Sequence, residues 1–117
     1  MNNGCSYQEL YYNHETGYIV RCLQCKNIRV TYGNIQLTFE ENVMKDFQCL
    51  LETINCDYSL IANHHLRRIE VPVYYNGVSL LLSKKELTEL ITMLDKADSE
   101  LQILSLMELL STDNPLM

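Results

Sequence analysis

The feature that most constrains the fold is a change of hydrophobic period that occurs twice along the chain. Each time, apolar residues alternate with polar ones, cross a tight turn, alternate again and then recur at spacings of three and four. Alternation is typical of a strand with one buried face, and spacings of three and four are typical of an amphipathic helix. The sequence therefore predicts two hairpin-plus-helix units, over residues 28–54 and 69–97.

In the first unit, the turn is marked by Gly33-Asn34, a pair that readily adopts positive φ. The alternating residues on either side of this turn predict a β-hairpin. Glu41 follows the second strand and places negative charge where the N-terminus of a helix favours it. An amphipathic helix is therefore predicted from Glu41 to Ile54.

The second unit repeats this order after a connection that has no clear period. Its turn falls at residues 76–77, and Ser83 with Glu86 forms the capping-box pattern of a helix N-terminus. At an offset of 43 residues, Phe47 pairs with Leu90, and the register holds from the second strand through the helix. An internal duplication explains this agreement. Chance similarity is the alternative, because any two strand-then-helix segments share such a pattern.

Two segments lie outside these units. Residues 7–27 predict an N-terminal hairpin, with strands Gln8–Tyr12 and Tyr18–Cys22 joined by a polar turn. In residues 98–117 the second helix either continues or restarts at Asp98 or Ser99. These residues are apolar around almost the full helical circumference, which predicts a helical tail buried from several sides, either as a third layer or in a dimer. The predicted fold class is α+β, a single domain over residues 1–117 in which antiparallel hairpins form a sheet covered by two to three helices.

Length, charge and the first residues limit the classes of function. With 117 residues and 47% hydrophobic content, the chain is sized for one globular core. Its formal net charge of −6 disfavours binding to nucleic acid or to an anionic membrane surface. No signal-peptide pattern follows Met1, and no apolar stretch reaches the roughly 20 residues that span a bilayer. We therefore expect a cytoplasmic protein whose five cysteines are reduced thiols or metal ligands.

The most specific local motif is the CxxC of Cys22 and Cys25, which lies between two predicted strands. Two cysteines at this spacing are typical of a zinc knuckle, in which both thiolates bind one tetrahedral ion. A structural zinc needs four ligands, and no second CxxC or HxxxH motif is present. Cys5 and His14 are the first candidates for further metal ligands, because the N-terminal hairpin could bring them back toward the knuckle. The other candidates are Cys49, Cys56, His64 and His65.

Other interpretations of the CxxC stay open. Two copies of the chain could each contribute one CxxC to a shared ion. Cys22 or Cys25 could serve a small thiol-dependent enzyme or redox protein, although a redox pair normally precedes a helix and here a strand follows. An ordinary turn that happens to hold two thiols is the third alternative. Cys49 lies in the first predicted helix, where a small buried side chain is predicted.

Several motifs, taken in order, resemble those of a known family. They are the CxxC at Cys22 and Cys25, Tyr32-Gly33-Asn34, Leu37-x-Phe39, Phe47, Asp57-Tyr58 and Arg68-Ile69-x-Val71-Pro72. Together they resemble a family of small uncharacterised proteins from Bacteroidetes-type bacteria, catalogued as a domain of unknown function. The likeness spans residues 17–97 and leaves the helical tail outside. It implies a bacterial cytoplasmic protein and no particular activity or site residue.

The leading hypothesis from the sequence is a non-enzymatic interaction module whose knuckle is stiffened by zinc. Its expected partner is a second copy of the chain or another protein, because eight tyrosines and an apolar tail favour protein interfaces. No nucleic acid, no membrane and no cofactor other than zinc is expected. The rival hypothesis is the small thiol-dependent enzyme or redox protein.

Overall fold

The fold consists of six strands and two helices in the part of the chain that the structure describes. The computed structural model describes residues 6–58, 63–73 and 77–112. The elements in chain order are β1 (Tyr7–Asn13), β2 (Gly17–Cys22), β3 (Ile28–Tyr32), β4 (Ile35–Phe39), α1 (Glu41–Asp57), β5 (Ile69–Pro72), β6 (Ser79–Leu82) and α2 (Lys84–Thr112). The prediction of an α+β fold built on antiparallel hairpins is confirmed.

The strands form two antiparallel sheets. The first sheet has the order β1-β2-β3-β4, so each strand pairs with its neighbour in the chain. The second sheet contains β5 and β6 alone. Alternation in the sequence predicts each hairpin, whereas this division into two sheets follows from tertiary packing and has no local sequence pattern.

One face of the first sheet packs against the helices and forms most of the core. Ile19 lies opposite Val30 across β2 and β3, and both side chains are buried because alternation turns them to the same face. In α1, Phe47 and Leu51 are four residues apart and fully buried. The ring of Phe47 packs on Phe39 of β4 with 5.0 Å between the ring centroids. The period change in the sequence therefore marks the point where the chain leaves the sheet to cover it.

The helix α2 contacts both sheets. It packs against β1 and β2 of the first sheet, against β6 of the second sheet and against α1. The predicted capping box fixes its N-terminus: the Glu86 amide donates to Ser83 Oγ at 3.1 Å, and the Ser83 amide donates to Glu86 Oε1 at 2.9 Å. Buried side chains continue along the helix as far as Leu101.

The helix ends differ from the prediction. The first helix ends at Asp57 and not at Ile54. The second helix is continuous to Thr112, so of the two predicted alternatives the tail continues α2 and does not restart as a third helix within the described residues. The alternative in which the tail is buried as a third layer is wrong, because α2 extends past the core and most side chains after Leu101 are exposed. Its burial in a dimer stays a prediction.

The structure tests the predicted second turn only in part, and it does not test the internal duplication. Of the turn predicted at residues 76–77, Gly77 has a φ of +77° and Asn76 lies outside the described residues. The internal duplication stays a prediction. No described helix has the length and apolar content needed to cross a membrane.

Candidate functional site

The CxxC motif forms the connection between β2 and β3. Cys22 is the last residue of β2 and is buried, whereas Cys25 is exposed in the turn. The Cys25 amide donates a hydrogen bond to Cys22 Sγ at 3.4 Å. The turn is closed by the Lys26 amide, which donates to the Cys22 carbonyl oxygen at 2.9 Å. We call residues 22–25 the knuckle, in which one backbone amide contacts the first sulfur.

The residue before β1 is tied to the same turn. The Leu23 amide donates to the Ser6 carbonyl oxygen at 2.8 Å. In return, the Ser6 amide donates to Gln24 Oε1 at 2.7 Å. The start of the described chain therefore lies against the knuckle. Cys5, a predicted metal ligand, lies outside the described residues.

His14, the other first candidate, is at the opposite end of the N-terminal hairpin. In the register of β1 and β2, Tyr7 pairs with Cys22 and Asn13 pairs with Gly17. A strand of that length separates the two ends by roughly 20 Å. The side chain of His14 is 79% exposed and lies 3.9 Å from Glu15. The structure does not bring His14 to Cys22 or Cys25.

The remaining cysteines of the described chain lie on α1. Cys49 and Cys56 are both exposed, so the prediction that Cys49 is buried is wrong. The buried face of α1 is set by Met44, Phe47 and Leu51, and position 49 falls outside that face. In the described ranges, no three histidine, cysteine, aspartate or glutamate side chains are grouped so as to hold a metal ion.

A second cluster of polar side chains lies at the N-terminal end of α2. The Tyr32 hydroxyl donates to Glu89 Oε1 at 2.6 Å, and Lys85 Nζ donates to Glu89 Oε2 at 2.7 Å. Arg67 binds Glu86 with two nitrogens, at 2.9 Å from Nε and 2.6 Å from Nη2. These contacts tie β3 and the segment before β5 to α2. The capping box predicted from the sequence singled out Glu86, but no local pattern indicated the pairing of Tyr32 with Glu89.

These contacts change the proton affinities of the groups involved. Hydrogen bonds from Arg67 lower the pKa of Glu86, and hydrogen bonds from Lys85 and Tyr32 lower the pKa of Glu89. Burial and the hydrogen bond to Glu89 raise the pKa of Tyr32. Both glutamates are therefore ionised and Tyr32 is protonated near neutral pH. The cluster is a set of satisfied ion pairs, and it holds no reactive base.

Acid is expected to weaken this cluster. Because both glutamates have a lower pKa in the folded state than in the unfolded state, their stabilisation is complete above the ordinary value of 4.5 and is lost as the pH falls below it. We expect the change to be below about 1 kcal/mol, because these ion pairs are partly exposed to water. Urea unfolding between pH 7 and pH 3 measures it. A Glu86→Gln, Glu89→Gln double variant should show a smaller pH dependence than Glu52→Gln, and equal slopes would contradict the assignment.

The end of α2 carries an exposed apolar stripe. Ile103, Leu106, Met107 and Leu110 recur at spacings of three and four, so they share one side of the helix. Their exposed fractions are 52%, 58%, 59% and 65%. We call these four side chains the outer face. The sequence indicated apolar residues here, but only the structure shows that they point away from the core.

The opposite side of the same helical turns faces the protein. Leu101 is buried, and Leu104 packs against the core. Glu108 lies 3.8 Å from Arg21, whose side chain is only 6% exposed and also lies 3.9 Å from Glu41 at the start of α1. The end of α2 is therefore held against β2 and α1 on one side, which fixes the outer face toward solvent.

The chain belongs to the family of unknown function DUF6686, whose family model matches residues 5–114. No curated protein and no solved structure matches the chain. This assignment confirms that the chain resembles a family of unknown function. The match extends beyond the predicted residues 17–97 to the N-terminal strand and to the described end of α2. The case for a function therefore comes from the knuckle, the ion-pair cluster and the outer face.

Proposed function

We propose that this protein is a small non-enzymatic interaction module of the cytoplasm that pairs with a second copy of itself through the outer face. The observation that carries the proposal is that Ile103, Leu106, Met107 and Leu110 are each more than half exposed on one side of α2. A helix on the surface of a single chain normally turns polar side chains to solvent. A contiguous apolar surface is the usual mark of a protein interface.

The side of α2 that carries the outer face changes in polarity along the helix. Thr92, Lys96 and Ser99 lie on the same side at spacings of four and three, and all are polar. From Ile103 onward the same side is apolar. The change coincides with the end of the core, after Leu101. This side of α2 is therefore polar where the helix covers the core and apolar beyond it, as expected if only its last part contacts a partner.

The size of the outer face suits a pair of identical chains. Its four side chains expose about 500 Å² per chain, in the range of the largest functional apolar patches on monomers. Two copies would hide about 1,000 Å² in total, which reaches the lower limit for a specific interface. A twofold pair brings the same patch of each copy together, so the outer face of one copy can pack on the outer face of the other and no second apolar surface is needed.

Charge favours an antiparallel arrangement of the two helices. The last turn of α2 carries no basic residue that would offset the partial negative charge of its carbonyl groups. Lys96 lies two turns before Ile103 on the same side of the helix. In an antiparallel pair centred on the outer face, this lysine lies between one and two turns beyond the C-terminal end of the partner's α2, on the side to which its partial negative charge points.

A charge placed in the outer face is expected to separate the copies. The wild-type chain should have twice the mass of a 13.6 kDa monomer by light scattering at micromolar concentration. Leu106→Lys should weaken the pairing by at least about 100-fold, because burying an unpaired ammonium costs several kcal/mol. Thr92→Lys is the matched control, since it adds the same charge to the polar part of the same side.

Three outcomes would contradict this proposal. The first is a wild-type chain that stays monomeric at about 100 μM, which would leave the outer face to a different protein. The second is a Leu106→Lys dimer of unchanged affinity. The third is equal dissociation by Thr92→Lys. Circular dichroism should give the same helix content for all three proteins, since position 106 is exposed.

The knuckle has a separate part in this proposal. A zinc ion bound there would stiffen the turn between β2 and β3 without taking part in the pairing of the outer faces. The alternative function is a small thiol-dependent enzyme or redox protein, favoured by the exposure of Cys25 and its amide contact with Cys22 Sγ. Rapid, selective alkylation of Cys25 by iodoacetamide at pH 6 in the metal-free protein, compared with Cys49, would support that alternative.

A further inference from the structure

A cavity of about 420 Å³ lies where the two sheets and α2 meet. Its lining comes from the end of β3 and the turn after it, from the segment before β5, from β6 and from the start of α2. The volume is in the range of pockets that bind small molecules. Because these segments are far apart in the sequence, only the folded chain forms this space.

The main polar group of the lining is the guanidinium of Arg67. The Glu86 carboxylate holds one edge of this group, where it accepts from Nε at 2.9 Å and from Nη2 at 2.6 Å. The other edge consists of Nη1 and the second N–H of Nη2. Among the residues that the structure describes, none is hydrogen-bonded to Nη1. Glu86 therefore orients the guanidinium and leaves its second edge open to another planar acceptor.

Two more side chains add polar atoms to the lining. The Tyr32 hydroxyl donates to Glu89 Oε1 at 2.6 Å, so its proton is already used while its oxygen can still accept a hydrogen bond. Asn34 is exposed in the turn after β3, and its side-chain amide supplies N–H donors. Arg67 and Asn34 thus bring hydrogen-bond donors to the cavity, which favours a ligand that carries acceptor atoms.

The titratable groups of the lining have shifted pKa values. Burial raises the pKa of Tyr32, and the hydrogen bonds between Arg67 and Glu86 raise the pKa of Arg67 and lower that of Glu86. Shifted pKa values concentrate at functional sites, so they agree with the geometry of the cavity.

Another part of the lining is apolar. Leu82 is buried, Ile35 is half-buried and Leu81 is 57% exposed. Covering the exposed part of such a side chain with a ligand is favourable, at roughly 25 cal/mol for each Å² of apolar surface. The cavity therefore combines an open guanidinium edge with an apolar surface.

We propose that this cavity binds a small organic monocarboxylate. Its carboxylate accepts two hydrogen bonds from the open edge of Arg67, a geometry that matches the planar guanidinium. Its apolar body packs on Ile35, Leu81 and Leu82. A second carboxylate on the ligand is unfavourable, because Glu86 already places one negative charge on the same guanidinium. This inference goes beyond the proposed function and does not depend on the pairing of the outer faces.

Titration of the full, isotope-labelled chain with isovalerate, followed by NMR, tests the site. The backbone amide signals of Gly33, Asn34 and Leu81 should shift and reach saturation, with a Kd of about 10 mM or below for a ligand of so few atoms. Isovaleramide has nearly the same shape but no charge. It should bind at least about 10-fold more weakly, because it cannot offer two charged acceptors to Arg67.

Two pairs of variants test the assigned contacts. Arg67→Lys keeps the positive charge but removes the planar pair of donors, so it should weaken isovalerate binding by at least about 10-fold. Arg68→Lys is the matched control, since Arg68 is exposed but does not line the cavity. Leu81→Ala should weaken binding by about 3-fold or more, because it removes apolar contact with the ligand. Val78→Ala removes a similarly exposed side chain outside the cavity and should leave the affinity unchanged.

Several results would overturn the site. Signals that show no saturable shift up to about 50 mM isovalerate reject it on the wild-type chain alone. Equal binding of isovaleramide rejects the carboxylate. Equal weakening by Arg68→Lys, or an unchanged affinity in Leu81→Ala, rejects the assigned contacts. Circular dichroism should give one spectrum for all variants, because the substituted positions are exposed. Light scattering without isovalerate measures the pairing of the outer faces separately, so each proposal can fail without the other.

Discussion

Replacing Gly17 with alanine is expected to lower the free energy of unfolding by about 4 kcal/mol or more, enough to unfold much of the protein. Gly17 has a φ of +148°, a conformation that side chains rarely permit. A Cβ atom there would lie 1.9 Å from the Thr31 carbonyl oxygen and 3.1 Å from the Tyr32 Cα atom. Because backbone atoms on the neighbouring strand block the position, no side-chain movement can relieve the clash.

Gly33→Ala is the matched control for this prediction. Gly33 also has positive φ, at +57°, but no atom beyond its own two chain neighbours lies within 4 Å of the position that a Cβ atom would take there. Its cost should be limited to the backbone conformation, about 1–2 kcal/mol. Urea unfolding followed by circular dichroism measures both variants. A Gly17→Ala protein as stable as Gly33→Ala would show that β2 and β3 do not approach each other as closely as described.

Replacing Phe47 with alanine is the second change with a large expected effect. The Phe47 side chain is fully buried, and its ring lies 5.0 Å from that of Phe39. Removing a buried aromatic ring leaves a cavity and typically costs about 3–5 kcal/mol. We expect a shift of the urea midpoint to lower concentration with little change in the slope of the transition.

The control for this change lies two residues away on the same helix. Cys49→Ala removes an exposed side chain from α1 and should alter stability by no more than about 0.5 kcal/mol. Phe47→Leu should fall between the two, because it keeps part of the buried volume. A cost below about 1 kcal/mol for Phe47→Ala would mean that α1 does not pack on the sheet through this residue.

The outer face lies on the part of α2 that continues past the core. Up to Leu101, the buried side of α2 packs against the sheets and α1, and its other side is polar. Beyond that residue, the helix keeps a protein-facing side at Leu104 and Glu108 and gains a second apolar side. The proposed pairing would therefore use a different side of these turns from the one used in folding, which is why Leu106→Lys is expected to dissociate a dimer without unfolding its chains.

The sequence by itself determined the local structure. Alternation specified the hairpins, the change to spacings of three and four specified the start of α1, and Ser83 with Glu86 specified the start of α2. These features are predictable because each depends on residues within a few positions of one another. The CxxC was visible for the same reason, as was the apolar character of the chain after residue 98.

Only the tertiary structure decided how these parts are placed. It placed His14 at the far end of the hairpin from the knuckle, because strand register is set by pairing between strands. It joined Tyr32 to Glu89 across 57 positions and exposed Cys49 on α1. It also turned four apolar side chains of α2 outward. The direction in which a side chain faces depends on what the rest of the chain packs against, so a helix apolar all round predicts burial but not which of its sides the chain itself covers.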